Sequence, residues 1–251
     1  MKPACVVPSR RGPVSWIVMR LSVSFIASLL AAAILAIGAG PSVTAQSTAA
    51  PTAGNGTYIA VDPLANVKYD NRYDLSVGLA YQHIKAGPNI SQGANLGGLD
   101  VSGSYWLTKR WAAEGTVRGF AGTSGAAPNI YSINGPFIAE YVAAAGPEYL
   151  GPHNKHGALS AHVLVGGAYG KFEQDLRGHS PSVVDFYNDQ IAPAMIVGGH
   201  IDLNRSAQWV FRITPDALFT DYGINYGPKS SQIDVNFGIS VGVEYKFKKK
   251  R

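Results

Sequence analysis

The stretch that decides the fold is QIDVNFGISVGVEYKF, residues 232–247. From Ile233 to Phe247 every second side chain is aliphatic or aromatic, and those between are polar, charged or glycine. Successive side chains of a β-strand point to opposite faces, so a period of two residues predicts a strand with one apolar and one polar face. We therefore predict a single long amphipathic strand that ends at Phe247.

Seven earlier segments repeat this alternation, and no segment after Asn71 carries the 3.6-residue period of an amphipathic helix over a helix's usual length. In all eight segments the charged residues fall on one face, which is also rich in Gly, Ser and Thr. The sequence thus predicts an all-β chain of eight strands. The seven earlier segments lie at residues 73–82, 99–108, 111–120, 137–149, 159–170, 191–203 and 209–220.

The direction of the apolar face separates a soluble barrel, which points it inward, from a membrane barrel, which points it to lipid. Aromatic residues at both ends of the apolar faces favour lipid, because aromatic girdles mark the two headgroup interfaces. One predicted girdle comprises Tyr73, Tyr105, Trp111, Tyr149, Trp209, Tyr245 and Phe247, and the other comprises Tyr81, Phe137, Tyr169 and Phe219.

The lengths of the segments and of their connections also favour a membrane barrel. Segments of about 9 to 12 residues match tilted membrane strands, and long connections alternate with short ones, as in outer-membrane barrels. Open sheet edges do not persist in hydrocarbon, and bacterial single-chain barrels have even strand numbers. We predict an eight-stranded antiparallel up-and-down transmembrane β-barrel over residues 73–247, with a β-bulge beside each of Pro147, Pro193 and Pro215.

The N-terminal region has the layout of a secretory signal peptide. A basic region precedes an apolar run at residues 21–37, and small residues follow as far as Ala45. We expect a signal peptide at residues 1–45, cleavage after Ala45 and localisation in the outer membrane. The alternative is an uncleaved signal anchor, because 17 apolar residues just span a bilayer. Residues 46–72 are predicted to be a linker, and residues 248–251 a basic tail.

Charge and cysteine content exclude several classes of function. The formal net charge of +5 arises at the two ends, because residues 46–245 hold 12 Lys or Arg against 16 Asp or Glu. A nucleic-acid-binding protein would need a basic face on the folded body, so we predict no nucleic-acid partner. The single cysteine, Cys5, lies in the predicted signal peptide, so the mature chain has no thiol for a disulfide, metal or nucleophile.

Several motifs carry a family resemblance. They are AGPEY at residues 145–149, AHVLVGGA at 161–168, DALFT at 216–220 and the aromatic-ended last strand. Through them, residues 70–247 resemble bacterial outer-membrane β-barrel proteins of the OmpA-like transmembrane-domain or porin-family type. The resemblance implies eight strands and a C-terminal signal read by the barrel-assembly machinery. The residues of that signal are Val241, Val243, Tyr245 and Phe247.

The polar faces place nine acidic side chains, three basic side chains and two histidines inside the predicted barrel. An eight-stranded barrel has room for side chains and little else, so we predict a largely plugged, ion-paired lumen. Arg118 and Arg212 are expected to act as bidentate hubs among Glu114, Glu140 and Asp216. The predicted network comprises Glu114, Arg118, Glu140, His162, His200, Arg212 and Asp216.

The polar residues could instead form a catalytic or metal site. His162 and His200 with Asp202 suggest a metal or acid–base site, and His179-Ser180 part of a hydrolase, but neither set has diagnostic spacing. Lone histidines in a polar interior are more often hydrogen-bonding members of a network. We therefore predict a protein that is not an enzyme and has no cofactor or metal.

The predicted function is a structural or surface-loop binding scaffold in the outer membrane, because loops on a rigid scaffold often carry function. Expected partners are outer-membrane lipid, the barrel-assembly machinery and an unidentified loop ligand, and the protein is expected to be a monomer. Two alternatives stay open. The acid excess would suit a small cation-preferring, porin-like channel, and an inward apolar face would suit a soluble periplasmic lipocalin-like carrier.

Overall fold

A computed structural model of the chain describes residues 62–88, 90, 92–126, 129–223 and 233–247. The predicted signal peptide, residues 46–61 of the predicted linker and the basic tail lie outside these residues. Residues 224–232, in the connection before the last strand, also lie outside them.

Eight strands form one closed antiparallel barrel in which each strand pairs with its sequence neighbours and the first pairs with the last. This topology confirms the predicted eight-stranded up-and-down barrel. The strands are 12 to 17 residues long, because the alternating pattern continues beyond the segments predicted from sequence. They are β1 (Tyr73–Ile84), β2 (Ala94–Trp106), β3 (Trp111–Ser124), β4 (Phe137–His153), β5 (Gly157–Lys171), β6 (Gln190–Asn204), β7 (Trp209–Thr220) and β8 (Asp234–Phe247).

The apolar face of each strand points outward and the charged face points into the barrel. On β1, for example, Leu79 is 63% exposed whereas Gln82 is 2% exposed. This orientation contradicts the soluble carrier, whose apolar face would line an internal cavity. It gives the barrel the outward apolar surface and polar interior of a membrane-spanning barrel.

The predicted bulges at Pro147, Pro193 and Pro215 do not form, because the pairing registers of β4, β6 and β7 continue past these prolines without a shift. A shift occurs instead between Leu150 and His153 of β4, a segment that contains a fourth strand proline, Pro152. Each of the three prolines named first is paired with only one of its two neighbouring strands. The missing N–H is therefore accommodated by a local gap in one ladder, and no extra residue is inserted.

Long and short connections lie at opposite rims, which we call the long-loop rim and the short-turn rim. The short turns, at residues 107–110, 154–156 and 205–208, are fixed by side chains that accept backbone hydrogen bonds. Thr108 Oγ1 accepts from Arg110 and Trp111, and Ser206 Oγ accepts from Gln208 and Trp209. Such bonds stabilise tight turns.

The connection between β5 and β6 contains a helical turn, Pro181–Val184. Within the described ranges, no helix has the length and apolar character needed to cross a membrane.

Candidate functional site: the barrel lumen

The charged part of the lumen, which extends from the short-turn rim to the middle of the barrel, is built around two buried arginines. Arg118 on β3 contacts Asp216 at 2.5 Å and Asp100 at 3.4 Å. Asp100 also accepts hydrogen bonds from Thr116 and Ser240, so three strands meet at this carboxylate. Charge-assisted contacts of this kind are the stronger class of hydrogen bond in proteins.

The second arginine, Arg212 on β7, makes a bidentate pair with Asp202 at 2.7 and 3.0 Å. Its guanidinium also contacts Glu244 on β8 at 2.5 Å. The predicted partner choice was therefore partly wrong. Arg118 does bind Asp216, but neither arginine pairs directly with Glu114 or Glu140. Strand register instead places Asp100 directly opposite Arg118 and Asp202 directly opposite Arg212.

Glu114 instead lies against the two lumen histidines. Its Oε2 is 2.9 Å from His162 Nδ1, its Oε1 is 3.3 Å from His200 Nε2, and these two ring nitrogens are 3.2 Å apart. All three side chains are buried. His200 Nδ1 is 2.8 Å from the hydroxyl of Thr214, which fixes the orientation of the ring. Asp202, grouped with the histidines on sequence grounds, pairs with Arg212.

Two further buried carboxylates have neutral partners. Glu148 on β4 accepts hydrogen bonds from Ser104 and Ser160, at 2.7 and 2.8 Å. Glu140, near the long-loop rim, accepts from Gln82 at 3.0 Å and from Tyr222 at 2.5 Å. Hydrogen bonds to the charged form partly offset the cost of burying a carboxylate.

The half of the lumen toward the long-loop rim is mainly apolar, whereas the sequence pattern predicts a polar, ion-paired lumen throughout. Inward side chains of the strands meet loop residues there in one buried cluster. Its signal in the sequence is a local loss of alternation: Val163-Leu164-Val165 and Met195-Ile196-Val197 are apolar on both faces. The larger members of the cluster include Leu96, Phe120, Ile138, Val142, Leu164, Ile196 and Leu218 from strands, and Phe172, Leu176, Phe186, Tyr187 and Tyr222 from loops.

Three loop aromatics cover this cluster. Phe172 packs edge-on against Tyr187 and Tyr222, with ring centroids 5.6 and 5.0 Å apart. The Tyr187 hydroxyl donates to Asp234 at 2.6 Å, and the Tyr222 hydroxyl donates to Glu140. Burial, together with the neighbouring Glu140 carboxylate, raises the pKa of Tyr222 well above its usual value. Tyr222 therefore stays protonated and remains a donor.

The short-turn end of the lumen is covered by a residue from the predicted linker. Tyr69 donates its hydroxyl to the carbonyl of Asn154 at 3.0 Å and accepts from Asn204 at 2.7 Å, while Lys246 Nζ lies 4.3 Å from the centre of its ring. A cavity of about 20 Å³ lies beneath Tyr69, beside Arg212. That volume suits about one water molecule.

The predicted girdle residues all lie on the outward face. At the short-turn rim they form neighbouring cross-strand pairs: Tyr73 with Tyr105, and Trp111 with Tyr149, have ring centroids about 5 Å apart. Trp209, Tyr245 and Phe247 continue the same belt on β7 and β8. The outward positions of β8 also include Val241 and Val243 from the predicted assembly signal. The second girdle, Tyr81, Phe137, Tyr169 and Phe219, lies toward the long-loop rim.

No protein-family model matches the sequence, and no curated protein matches it significantly. Similar solved structures include Ail, the attachment invasion locus protein of Yersinia pestis, at 17% identity and a TM-score of 0.42, covering 70% of this chain and 97% of that chain. The outer membrane protein OprG from Pseudomonas aeruginosa has 11% identity and a TM-score of 0.45, covering 71% and 98%. The outer membrane protein AlkL has 18% identity and a TM-score of 0.44, covering 79% and 99%.

The strand pairing and the side-chain orientation of this chain establish its architecture. Antiparallel pairing closes the sheet, the outward side chains are mostly apolar, and the inward side chains include every charged residue of the strands except Lys171 at the end of β5. In a membrane such a structure satisfies its backbone hydrogen bonds internally and exposes no strand edge to lipid. The chain is therefore an eight-stranded antiparallel β-barrel of the transmembrane type.

Proposed function

We propose that the protein is an outer-membrane β-barrel whose filled lumen makes it a rigid scaffold for surface loops, with no enzymatic activity. The observation that carries this proposal is the double filling of the lumen, by ion pairs from the short-turn rim to the middle of the barrel and by an apolar cluster toward the long-loop rim. An interior packed with side chains leaves no wide path for solutes.

The loops are part of this filling. Phe172 and Tyr187 belong to the connection between β5 and β6, and Tyr222 belongs to the connection between β7 and β8. Because these rings are buried at the roots of their loops, loop position is coupled to the barrel. Further out, Tyr131 stacks on His179 at 4.3 Å and joins two loops. A surface held in this way suits recognition of a partner at low entropic cost.

The competing function is a narrow cation-preferring channel, which the excess of acidic side chains in the lumen would favour. Planar-bilayer recording distinguishes the two, after the folded state has been verified by heat-dependent gel mobility. A scaffold gives a silent barrel. Steady, cation-selective steps from the unaltered protein would overturn the scaffold proposal.

A variant that opens the apolar half of the lumen tests whether the absence of conductance is due to the rings that cover it. The double substitution Phe172→Ala and Tyr222→Ala removes the rings that cover the cluster, and we expect it to produce conductance steps or a marked rise in leak. The matched control is Ile130→Ala, at a loop residue that is 89% exposed, and this variant should stay silent. If the double variant folds and is as silent as the control, these rings do not close the lumen.

Localisation and assembly belong to the same proposal. We infer that the chain is secreted, cleaved after Ala45 and inserted by the barrel-assembly machinery through the outward residues of β8. Membrane fractionation and the mass of the mature protein test the first two steps. For the third, Phe247→Ala should slow the appearance of the heat-modifiable form, whereas Phe237→Ala, on the same strand face outside the predicted signal, should not.

A further inference from the structure

The structure also brings together a set of side chains that has the composition of a metal site. We propose that Glu114, His162 and His200 bind a divalent transition-metal ion, of which Zn²⁺ is the expected species, inside the barrel. Their three ligand atoms lie within 4.8 Å of one another, and all three residues are buried. They are far apart in the sequence, on β3, β5 and β6, which is why no metal-binding motif is visible there.

The distances that join the two oxygens of Glu114 and one nitrogen of each histidine suit one shared ion. The separations are 2.9, 3.2 and 3.3 Å between Glu114 Oε2 and His162 Nδ1, between the two histidine nitrogens, and between His200 Nε2 and Glu114 Oε1. Tetrahedral zinc with ligands at about 2.0–2.2 Å holds neighbouring ligand atoms about 3.3 Å apart. An ion would therefore need only small outward shifts of side chains that already converge.

The charges around the cluster favour a cation. Glu114 and Glu148 are both buried, and within the described part of the chain neither has a Lys or Arg nitrogen within 4 Å. The nearby arginines are already engaged with other carboxylates: Arg118 with two aspartates, and Arg212 with Asp202 and Glu244. A divalent ion with two neutral histidines would neutralise Glu114 and Glu148, and so remove the cost of burying two uncompensated charges.

Within the cluster, one carboxylate oxygen lacks a hydrogen bond. Among the described residues, Glu114 Oε1 is buried and accepts none, although it lies on the side of the cluster that faces His200. An acceptor of this kind normally finds a partner in a folded protein, because leaving it unsatisfied costs free energy. A metal ion between the three side chains would supply that partner.

The surroundings hold the candidate ligands in place. Thr214 orients His200 through Nδ1 and so directs Nε2 toward the cluster, as outer-shell groups do around metal-bound histidines. Glu148 Oε1 lies 3.9 Å from His200 Nε2 and is a candidate for the fourth position. Glu114, Glu148, His162 and His200 come from the four consecutive strands β3 to β6, so the ion would join half of the barrel wall.

The class of metal follows from the donors. Two imidazole nitrogens with one or two carboxylate oxygens suit Zn²⁺ and other late first-row divalent ions, whereas Mg²⁺ and Ca²⁺ prefer oxygen ligands alone. The burial of the cluster indicates that the ion would enter before the barrel closes. The ion would then act as a structural cross-link, independently of whether the lumen conducts.

The test is a measurement of bound metal on folded full-length protein in detergent. Zn²⁺ is supplied either during refolding or after it, free ion is removed, and bound metal is counted by mass spectrometry. We expect about one Zn²⁺ per barrel when the ion is present during refolding. If the protein retains no zinc whether the ion is supplied during or after refolding, the metal site is overturned. A protonated histidine that balances the charge of Glu114 would then be the explanation for the cluster.

Matched variants locate the ion. Glu114→Gln keeps the shape of the side chain but removes an anionic ligand, and should abolish stoichiometric binding. Glu140→Gln makes the same change at a buried lumen carboxylate away from the cluster, and should leave binding intact. Equal loss from both variants would contradict the assignment. The two substitutions are chemically identical, so a difference in zinc binding reflects their positions. Heat-dependent gel mobility shows whether each variant has folded.

Two further variants exclude surface binding and test the outer shell. The double substitution His153→Gln and His156→Gln removes exposed imidazoles at the short-turn rim and should not change the count. Thr214→Val removes only the hydroxyl that orients His200, and should weaken zinc binding by about 10- to 100-fold. Unchanged affinity in Thr214→Val, or loss of zinc with the surface histidines, would contradict the proposed geometry.

Discussion

The two halves of the lumen solve the same problem with different chemistry. From the short-turn rim to its middle the barrel is filled by Arg118 and Arg212 with their carboxylates, and from there toward the long-loop rim by aliphatic and aromatic side chains that include Leu164. Ion pairs depend on exact partners, whereas apolar packing depends on volume. The inward face of a strand can therefore change from charged to apolar along its length while it continues to face the lumen.

The largest effect is expected where an ion pair is broken in the charged half. Arg212→Ala leaves Asp202 and Glu244 buried without their cation, which should lower the free energy of unfolding by about 4 kcal/mol. Urea-induced unfolding in lipid vesicles, followed by tryptophan fluorescence, measures this change. Arg205→Ala, at an exposed turn position on the same rim, is the control and should have little effect.

A smaller loss is expected from a cavity in the apolar half. Leu164→Ala should lower the free energy of unfolding by about 3 kcal/mol, because a fully buried leucine is removed from a packed cluster. The neighbouring Val165 points outward and is 61% exposed, so Val165→Ala should cost far less. The same unfolding measurement applies. Similar losses at the two positions would mean that the apolar half is not packed as described.

Tyr222 joins the two kinds of interior, since its ring lies in the apolar cluster and its hydroxyl binds a carboxylate. Tyr222→Phe keeps the ring and removes the donor to Glu140, which should lower the free energy of unfolding by about 2 kcal/mol. Tyr131→Phe is the control, a tyrosine at the edge of the same cluster that does not contact Glu140.

The loss in Tyr222→Phe should depend on pH in one direction. The native pKa of Tyr222 is raised, so the stability that comes from its protonated form is complete below the unfolded value of about 10. That contribution declines as pH rises further toward the native value. Unfolding measured across alkaline pH should therefore show the difference between wild type and variant shrinking above pH 10. A difference that grows instead would reverse the assigned sign.

The smallest effect is expected for neutral hydrogen bonds in the charged half. Ser76 and Ser102 share one bond of 2.7 Å between β1 and β2, and Ser76→Ala should cost about 1 kcal/mol. A double-mutant cycle with Ser102→Ala isolates this interaction. A coupling as large as the loss in Arg212→Ala would show that hydroxyls, and not ion pairs, dominate this half.

The fold was predictable from the sequence because one periodicity repeats in eight segments. Strand number, antiparallel topology and the inward face all follow from alternation such as that from Ile233 to Phe247. The β-bulges predicted at the prolines were wrong, because a strand can lose one hydrogen bond on one side without changing register.

The interior was only partly predictable, because it depends on which side chains meet across the barrel. The sequence places Arg212 in the lumen, but its partners depend on strand register, which puts Asp202 opposite it on β6 and Glu244 two residues from the opposite position on β8. The apolar half was missed because residues such as Leu164 and Ile196 interrupt the alternation on which the prediction depended. The convergence of Glu114 with the histidines was not predicted either, because it requires a contact across the lumen between β3 and the adjacent strands β5 and β6, neither of which pairs with β3.

The pairing of β1 with β8 also constrains how the molecule folds. Tyr73 lies opposite Phe247, so the last ladder joins the residues that are farthest apart in the barrel sequence. Contacts of such long separation form slowly, and until they form both edge strands offer unpaired N–H and C=O groups to other chains. Closure is thus the kinetic vulnerability of this molecule. A chain shortened before β8 could not close its barrel in this way. Both β1 and β7 would then present unpaired edges to other chains.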